Sequence, residues 1–387
     1  MNIMCVGDVH LGKNLNLGKV SLDNNSRLED QFKLLDWVLH QANENKVKDI
    51  FFTGDLFEDP SPEIFILKLF AFWLKKATSQ GFILHFVEGN HDFVRMHENY
   101  LSSLDIFKAL ELDQIHFYRD VSNVMINGYN IILAPFRDRK SLFCESQEEA
   151  VEKIQKLILT KKAKNKNICI GHLAIKDSIP IGDEVDDLTN EIFIPSEFFK
   201  EFDYTWLGHI HKFQIFHKEP NYVSHLGSLD ISNFGEKDQE KFIVVFDTVK
   251  HSFKYISVPV RKYRTIEIDI PEDVTDSTSY VLNSIKDVDV TNEIVKIEIK
   301  HLSSSNASSR KKEIEQALKQ KDVFFVNAII EAKKLELVKK KTDVVIKDKT
   351  NVSEALTVYA KKAELVPISL QEKFLELSKQ IVREGKT

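Results

Sequence analysis

Ile50-Phe51-Phe52-Thr53-Gly54-Asp55 is a run of apolar, β-favouring residues that stops at a glycine and then presents a carboxylate. That is the pattern of a buried strand delivering one acid to the lip of a sheet. The same arrangement recurs four more times. Ile3-Met4-Cys5-Val6-Gly7 runs into Asp8-Val9-His10, and Phe82-Ile83-Leu84-His85-Phe86-Val87 leads to Gly89-Asn90-His91-Asp92. Ile168-Cys169-Ile170-Gly171 ends at His172, and Thr205-Trp206-Leu207-Gly208 ends at His209-Ile210-His211. Five strand ends carrying metal-binding residue types are expected to converge on one centre, with Asp55 as its hub.

Asp8 and His10 lie two residues apart at a strand end, as do His209 and His211, and in extended chain that spacing points both side chains the same way. Together the strand ends offer Asp8, His10, Asp55, Asn90, His172, His209 and His211. Seven donors exceed what a tetrahedral zinc site needs, and the mix is oxygen plus imidazole with no thiolate. That set suits a pair of octahedral ions such as manganese or iron, with a carboxylate bridging them. Of the thirteen histidines, the eight outside these motifs, among them His40, His85, His116, His217 and His301, read as ordinary structural side chains.

Working outward, a helix is expected around Leu28–Ala42, with Phe32, Leu35 and Leu39 at helical spacing. Pro60 and Pro62 precede a second helix, whose residues Ile64 to Leu74 are apolar nearly all the way round. Such a helix is buried on more than one face: either it is sandwiched inside the domain, or one face meets another subunit. A further helix is expected at about Tyr100–Leu110, strands near Ile115–Tyr118 and Tyr129–Leu133, and an amphipathic helix over 146–162. Hairpin-like strands at Tyr222–Leu226 and Phe242–Phe246 complete a first domain of residues 1–260. Strands mixed with helices in this order predict an α/β fold of two packed mixed sheets flanked by helices. Beyond Pro259–Tyr263 the pattern restarts as a small α/β module, 261–350: strand 265–270, helix 279–286, strand 294–299, helix 309–320, strand 323–330. Two capped amphipathic helices, in 351–387, close the chain.

The 387 residues suffice for more than one domain, and 43% hydrophobic with 29% charged residues describes an ordinary globular chain. No apolar run is long enough to span a bilayer, and the start lacks the pattern of a signal peptide. Cys5, Cys144 and Cys169 are widely spaced, and two sit in expected buried strands, which suits reduced thiols in the cytoplasm. The net charge of −6 is uneven: Lys+Arg against Asp+Glu is 30 to 38 over residues 1–261 and 17 to 16 over 262–350. The acidity lies with the metal-ligating motifs, where bound cations would reverse the local sign. A DNA-binding face is neither shown nor excluded by composition.

In this order, Asp-x-His, Gly-Asp, Gly-Asn-His-Asp, Gly-His and Gly-His-x-His resemble the calcineurin-like metallophosphoesterases. Asp8-Val9-His10-Leu11-Gly12 is similar to the opening of the SbcD-type DNA repair nucleases, catalytic partners of an SMC-like ATPase. Gly227-Ser228 followed by Phe234-Gly235-Glu236 resembles the turn after the last metal motif of that subfamily, and the tail of small module plus helices resembles its architecture. The resemblance implies one ion held by Asp8, His10, Asp55 and His211 and a second by Asp55, Asn90, His172 and His209. Manganese is the expected metal, with magnesium or iron as alternatives. It implies His91 as general acid, oriented by a partner. Glu58, three residues beyond Asp55, stands where related enzymes carry aspartate or histidine and is the expected partner, with Asp59 or Asp92 as alternatives.

The implied function is a two-metal DNA nuclease subunit, exonuclease on ends and endonuclease on single strands or hairpins, acting in DNA repair and recombination. The module would position DNA through Lys311, Lys312, Lys333, Lys334 and Lys339 to Lys341, the terminal helices would dock on the ATPase, and the Phe65–Leu74 helix would form a homodimer. Its place would be the cytoplasm, with the nucleoid or, for a viral protein, in the host. Two rivals remain: a phosphoesterase for a phosphoprotein or small phosphodiester, and a non-catalytic scaffold on the same fold. The first would carry Gly-Asn-His-Glu where this chain has Asp92; the second would lack ligands, and none is lacking.

Overall fold

A computed structural model describes residues 2–332 apart from 22–23, 97–98, 165, 182–190, 272 and 303–306. The two expected C-terminal helices, and Lys333, Lys334 and Lys339 to Lys341, lie outside the described residues. Twelve strands of the first 260 residues build two sheets. They are β1 (Asn2–Val6), β2 (Val47–Phe52), β3 (Ile83–Val87), β4 (Ile115–Tyr118), β5 (Ser122–Ile126), β6 (Tyr129–Ala134), β7 (Asn167–His172), β8 (Tyr204–Gly208), β9 (Gln214–His217), β10 (Tyr222–His225), β11 (Phe242–Asp247) and β12 (Ser252–Ser257). One sheet has the order β12-β11-β1-β2-β3-β4 and the other β9-β10-β8-β7-β6-β5. In each, four consecutive strands are parallel; antiparallel strands close both edges of the second sheet and one edge of the first, whose other edge is the parallel strand β4. Parallel central strands aim their C-terminal ends the same way, which gathers the five motifs at one edge of the sandwich.

Alternation along each strand decides what faces what. Ile3 and Cys5 of β1 join Ile168 and Ile170 of β7 and Trp206 of β8 in a core between the sheets. Met4 and Val6 point the other way, into helices α1 (Ser26–Glu44) and α2 (Ile64–Ser79). Cys169 and Leu207 likewise face α3 (Gln147–Leu159) on the outer side of the second sheet. The result is the expected pair of packed mixed sheets flanked by helices. The strands at 222–225 and 242–247, expected as hairpin-like neighbours, belong instead to different sheets, as do those at 115–118 and 129–134. The expected helix at Tyr100–Leu110 is a strand, Asn99–Ser102, followed by a 3-10 turn, Ser103–Leu110.

Of α2, one face is buried through Ile66, Phe70, Trp73, Leu74 and Ala77, while Ile64 is 83% and Phe72 65% exposed. The helix is therefore not sandwiched among the described residues, and its outer apolar face is open.

The third sheet comprises β13 (Tyr263–Asp269), β14 (Ile294–Leu302) and β15 (Phe325–Ala332), in that order, with α4 (Ser277–Ile285) and α5 (Ala307–Lys319) beside it. Its own apolar cluster includes Ile268, Val281, Ile297, Ile314 and Val326. Ion pairs join it to the rest. Arg261 donates from Nη2 to Asp30 Oδ1 of α1 at 2.8 Å and from Nη1 to the Asn292 carbonyl at 2.6 Å, with its guanidinium 3.7 Å over the Phe324 ring. Arg27 of α1, 1% exposed, lies 5.8 Å over the ring of Tyr263 in β13.

Candidate metal centre

At each strand end the chain turns through a glycine because nothing larger fits. A Cβ on Gly54 would lie 2.2 Å from His172 Nδ1, one on Gly89 2.1 Å from Asp55 Oδ1, and one on Gly208 2.1 Å from Asp8 Oδ1. Past the glycines three of the donor residues, His10, Asp55 and His209, adopt positive φ (48°, 46° and 84°). Such backbone is sparsely populated for non-glycine residues and persists where surrounding contacts enforce it. Here the enforcement is visible. The amides of Val9 and His10 both donate to the Asp55 carbonyl, at 3.0 and 2.9 Å, and the His209 amide donates to Asp8 Oδ2 at 2.7 Å.

The seven donors expected from sequence come together. Asp55 Oδ2 lies between two imidazoles, 3.5 Å from His10 Nε2 and 3.3 Å from His172 Nε2. On one side His10 Nε2 and His211 Nε2 are 2.9 Å apart. On the other, His172 Nε2 is 2.9 Å from Asn90 Oδ1, and His209 Nδ1 is 3.1 Å from both. Asp8, His10 and His211 form one group whose ligand atoms lie within 4.8 Å of one another, and Asp8, Asp55 and His172 another. Six of the seven are buried and Asn90 is half-buried.

Electrostatics favours cation ligation. Burial pulls His10 and His209 down, keeping both imidazoles neutral with a lone pair to give. Burial opposes ionisation of Asp55, but His172 and His91 hold its carboxyl well below the usual range. Asp92 is pushed up to about 7 by burial and then by the Asp55 charge. A cation on Asp55 relieves that like-charge cost. Imidazole nitrogens aimed at one another and at carboxylate oxygens, with no thiolate near, fit a pair of divalent ions of the manganese, iron or magnesium type.

His91 stands beside this set, its amide donating to Asp55 Oδ1 at 2.9 Å. Its Nδ1 donates to the backbone carbonyl of Glu58 at 2.7 Å, and a ring nitrogen of His91 lies within 4.8 Å of ligand atoms of His10 and Asp55. Here the structure corrects the expected pairing. The Glu58 carboxylate does not meet His91; Oε2 lies 2.8 Å from His10 Nδ1, in a contact too bent for a full hydrogen bond, and Oε1 accepts from Lys13 Nζ at 2.9 Å. Burial raises the Glu58 carboxyl, but His10 and Lys13 outweigh it and hold the group at about 2. Asp59 is exposed and caps the Ser61 amide at 2.7 Å. Asp92 accepts from the amides of Gly89 and Leu56, both at 2.9 Å, and of Phe57 at 3.3 Å, so it ties two loops together without touching His91.

Three features were not legible from sequence. Glu236, 0% exposed, lies 3.3 Å from His211 Nδ1 and is met by Lys241 Nζ at 2.6 Å. Its resemblance to a turn motif was visible, but no local spacing announces a partner 25 residues away. Phe136 walls the centre, with its ring 6.2 Å from that of His172 and 5.8 Å from that of His209. His225 Nδ1 donates to the Gly208 carbonyl at 3.0 Å, and burial pulls the ring down to about 4. Its neutral ring supports the strand end that presents His209.

With the site in view, comparison with known proteins adds its own findings. The calcineurin-like phosphoesterase family profile matches residues 1–213. The chain is 27% identical over 292 residues to the SbcD subunit of the nuclease SbcCD of Escherichia coli (strain K12), covering 67% of this chain and 69% of that protein. It is 28% identical over 246 residues to the DNA double-strand break repair protein Mre11 of Methanocaldococcus jannaschii, covering 62% of this chain and 60% of that one. Among solved structures, a dimetal phosphatase from Danio rerio aligns at a TM-score of 0.38 and 12% identity, over 67% of this chain and 99% of that one.

Proposed function

Since the chain belongs to the calcineurin-like phosphoesterase family, we propose that it is the nuclease subunit of a DNA end-processing machine. In this reading it hydrolyses phosphodiester bonds with two divalent ions, manganese first among them, as an exonuclease on ends and an endonuclease on single strands and hairpins. The single observation that carries it is Asp55 Oδ2 set between His10 Nε2 and His172 Nε2, with His91 adjoining. When bound, the ions supply a metal-activated hydroxide and neutralise charge on the phosphate. The chain's own part is to orient and to move a proton. His91, pinned through Nδ1 to the Glu58 carbonyl, presents Nε2 to the leaving oxygen as general acid. Asn90 and the four histidines ligate as uncharged groups, so they hold cations without adding to the repulsion a phosphate meets.

The assignment to DNA draws on the names of the two relatives, one a nuclease subunit and one a double-strand break repair protein. Docking of residues 351–387 on an SMC-like ATPase, DNA positioning by the module of 261–350 with Lys311 and Lys312, and a homodimer through the Phe65–Leu74 helix complete the proposal. Among the described residues no helix is long and apolar enough to cross a membrane.

The test is hydrolysis of a linear duplex and a single strand with manganese, with magnesium and with chelator, beside His91→Gln. Manganese-dependent cleavage is expected, falling ~10²-fold or more in the variant while metal content stays the same. Cleavage of bis-p-nitrophenyl phosphate alone, with DNA untouched even when an SMC-like ATPase partner is supplied, would remove the nuclease reading and leave a phosphoesterase. A fully active variant would remove His91 from the mechanism.

A further inference from the structure

The loop that leaves β6 carries two phenylalanines with opposite surroundings. Ala134, the last residue of β6, pairs with Gly171, the neighbour of His172. Just beyond it Phe136 is 5% exposed and walls the centre through its contacts with the His172 and His209 rings. Phe143, on the same loop, is 87% exposed, the highest value of any large apolar side chain among the described residues.

The backbone holds Phe143 in that place. Its φ is 54°, in the left-handed region that a bulky residue seldom adopts. The Leu142 amide donates to the Asp138 carbonyl at 3.1 Å, the Phe143 amide to the Lys140 carbonyl at 3.0 Å and the Cys144 amide to the Arg139 carbonyl at 3.1 Å. Asp138 Oδ1 accepts from the Ser141 amide at 2.8 Å, and Lys153 Nζ of α3 donates to the Leu142 carbonyl at 2.6 Å. Leu142 itself is buried in the core that holds Leu173, the residue after His172. A buried leucine followed by a projecting phenylalanine makes a fixed mount for the ring.

Neighbouring charge says what the ring can meet. Arg139 and Lys140 are exposed, and neither forms an ion pair among the described residues; Arg139 Nη1 reaches only the Glu145 carbonyl, at 3.5 Å. Acids follow along the chain, but Glu149 accepts from the Glu145 amide at 2.9 Å, and Glu148 sits in the first turn of α3, where the helix's amide end favours it. An open aromatic face beside two such cations suits a nucleobase and its phosphates. A base inside a duplex has both faces covered, so the fitting partner is a single strand or a frayed end. Extended chain from Phe136 to Phe143 spans at most about 25 Å, the length of about seven nucleotides stacked at about 3.4 Å.

We infer that Phe143 is a stacking platform for single-stranded nucleic acid, with Arg139 and Lys140 as its phosphate contacts, on the path of a strand that leaves the metal centre along this loop. The inference deepens the nuclease reading above and rests on it.

The test measures, by fluorescence anisotropy, binding of the full chain to a labelled twelve-nucleotide oligothymidylate and to an abasic strand with the same phosphates. Ca²⁺ replaces Mn²⁺ so that the probes stay uncut, which a gel verifies. The parent is expected to hold the oligothymidylate about fivefold or more tightly than the abasic strand. Phe143→Ala is expected to weaken the oligothymidylate about tenfold, leave the abasic strand within about twofold and keep the slope of log Kd against log salt. Phe143→Trp is expected to stay within about threefold of the parent. Arg139→Gln with Lys140→Gln reads the phosphates instead: the slope falls by about 1.4 on both probes, about 0.7 for each cation lost. Oligothymidylate affinity unchanged in Phe143→Ala overturns the inference, as does an equal loss on both probes. A Phe143→Ala chain that binds as its parent does but sediments more slowly assigns the ring to a protein contact and also overturns it. A parent that binds duplex and no single strand sinks this inference and leaves the nuclease reading standing; a parent that binds neither and cuts no DNA sinks both.

Discussion

Asp92 shows how much a single buried acid can organise. It is 0% exposed, and its two oxygens accept from three backbone amides on two different loops, Gly89 on one and Leu56 and Phe57 on the other. Those loops carry Asn90 and Asp55, so Asp92 sets the distance between two donors without being one. Asp92→Asn would turn an amide NH₂ toward at least one backbone N–H, leaving a donor unpaired in a buried place. The expected cost is about 2 kcal/mol, read as a lowered melting temperature of the metal-free chain, together with reduced metal content. An unchanged melting temperature would mean the loops hold each other without it. The gathering of the seven candidate donors was legible because carboxylate, amide and imidazole after a glycine at a strand end form a pattern that packing alone does not produce. The roles of Glu58 and Asp92 were not legible. Whether a loop residue serves through its carbonyl or its carboxylate depends on how the chain turns. Here the turn is set by the Leu11–Phe57 bridge, which the order of residues does not reveal.

On the scale of elements, α2 presents the clearest consequence. Its buried face needs Ile66, Phe70, Trp73 and Leu74, yet Ile64 and Phe72 stand open on the other side. Exposed apolar residues of this size on one helix are the raw material of a subunit contact. Phe72→Glu is expected to shift a dimer to monomer in sedimentation, with bis-p-nitrophenyl phosphate hydrolysis per chain unchanged. A variant that sediments as its parent does would exclude this face from the contact. Three strands of the two large sheets that the sequence reading missed have something in common. β5, β9 and β12 all lie at sheet edges and none contains a fully buried residue. An edge strand is half wet, so its apolar signal is diluted with polar positions. Central strands such as β7, buried along its whole length, announce themselves. The mistaken hairpins have a related cause. A tight run of strands reads as neighbours, while long-range pairing between β1 and β11 decides the sheet.

For the whole molecule, the ligands' positions in the chain matter as much as their positions in space. The His10 and His211 ring nitrogens that face one another at 2.9 Å belong to residues 201 apart, and those of His172 and His209 to residues 37 apart. The folded core explains this proximity. Strand β1 sits in the middle of one sheet, β7 and β8 in the middle of the other, and all finish at the same edge. Ions seated there act on folding as cross-links between the first strand and the last motif, closing loops that would otherwise cost entropy to hold shut. Anything that binds the folded chain and not the unfolded one adds stability by mass action, about 2.7 kcal/mol at a hundredfold excess over its dissociation constant. Melting should therefore move upward with manganese concentration and fall when chelator is added, and a melting temperature indifferent to both would count against the cross-link. The surrounding solution would then set part of this protein's lifetime: where the free metal ran short, the chain would lose a fastening along with its chemistry, and unfolding and inactivity would arrive together.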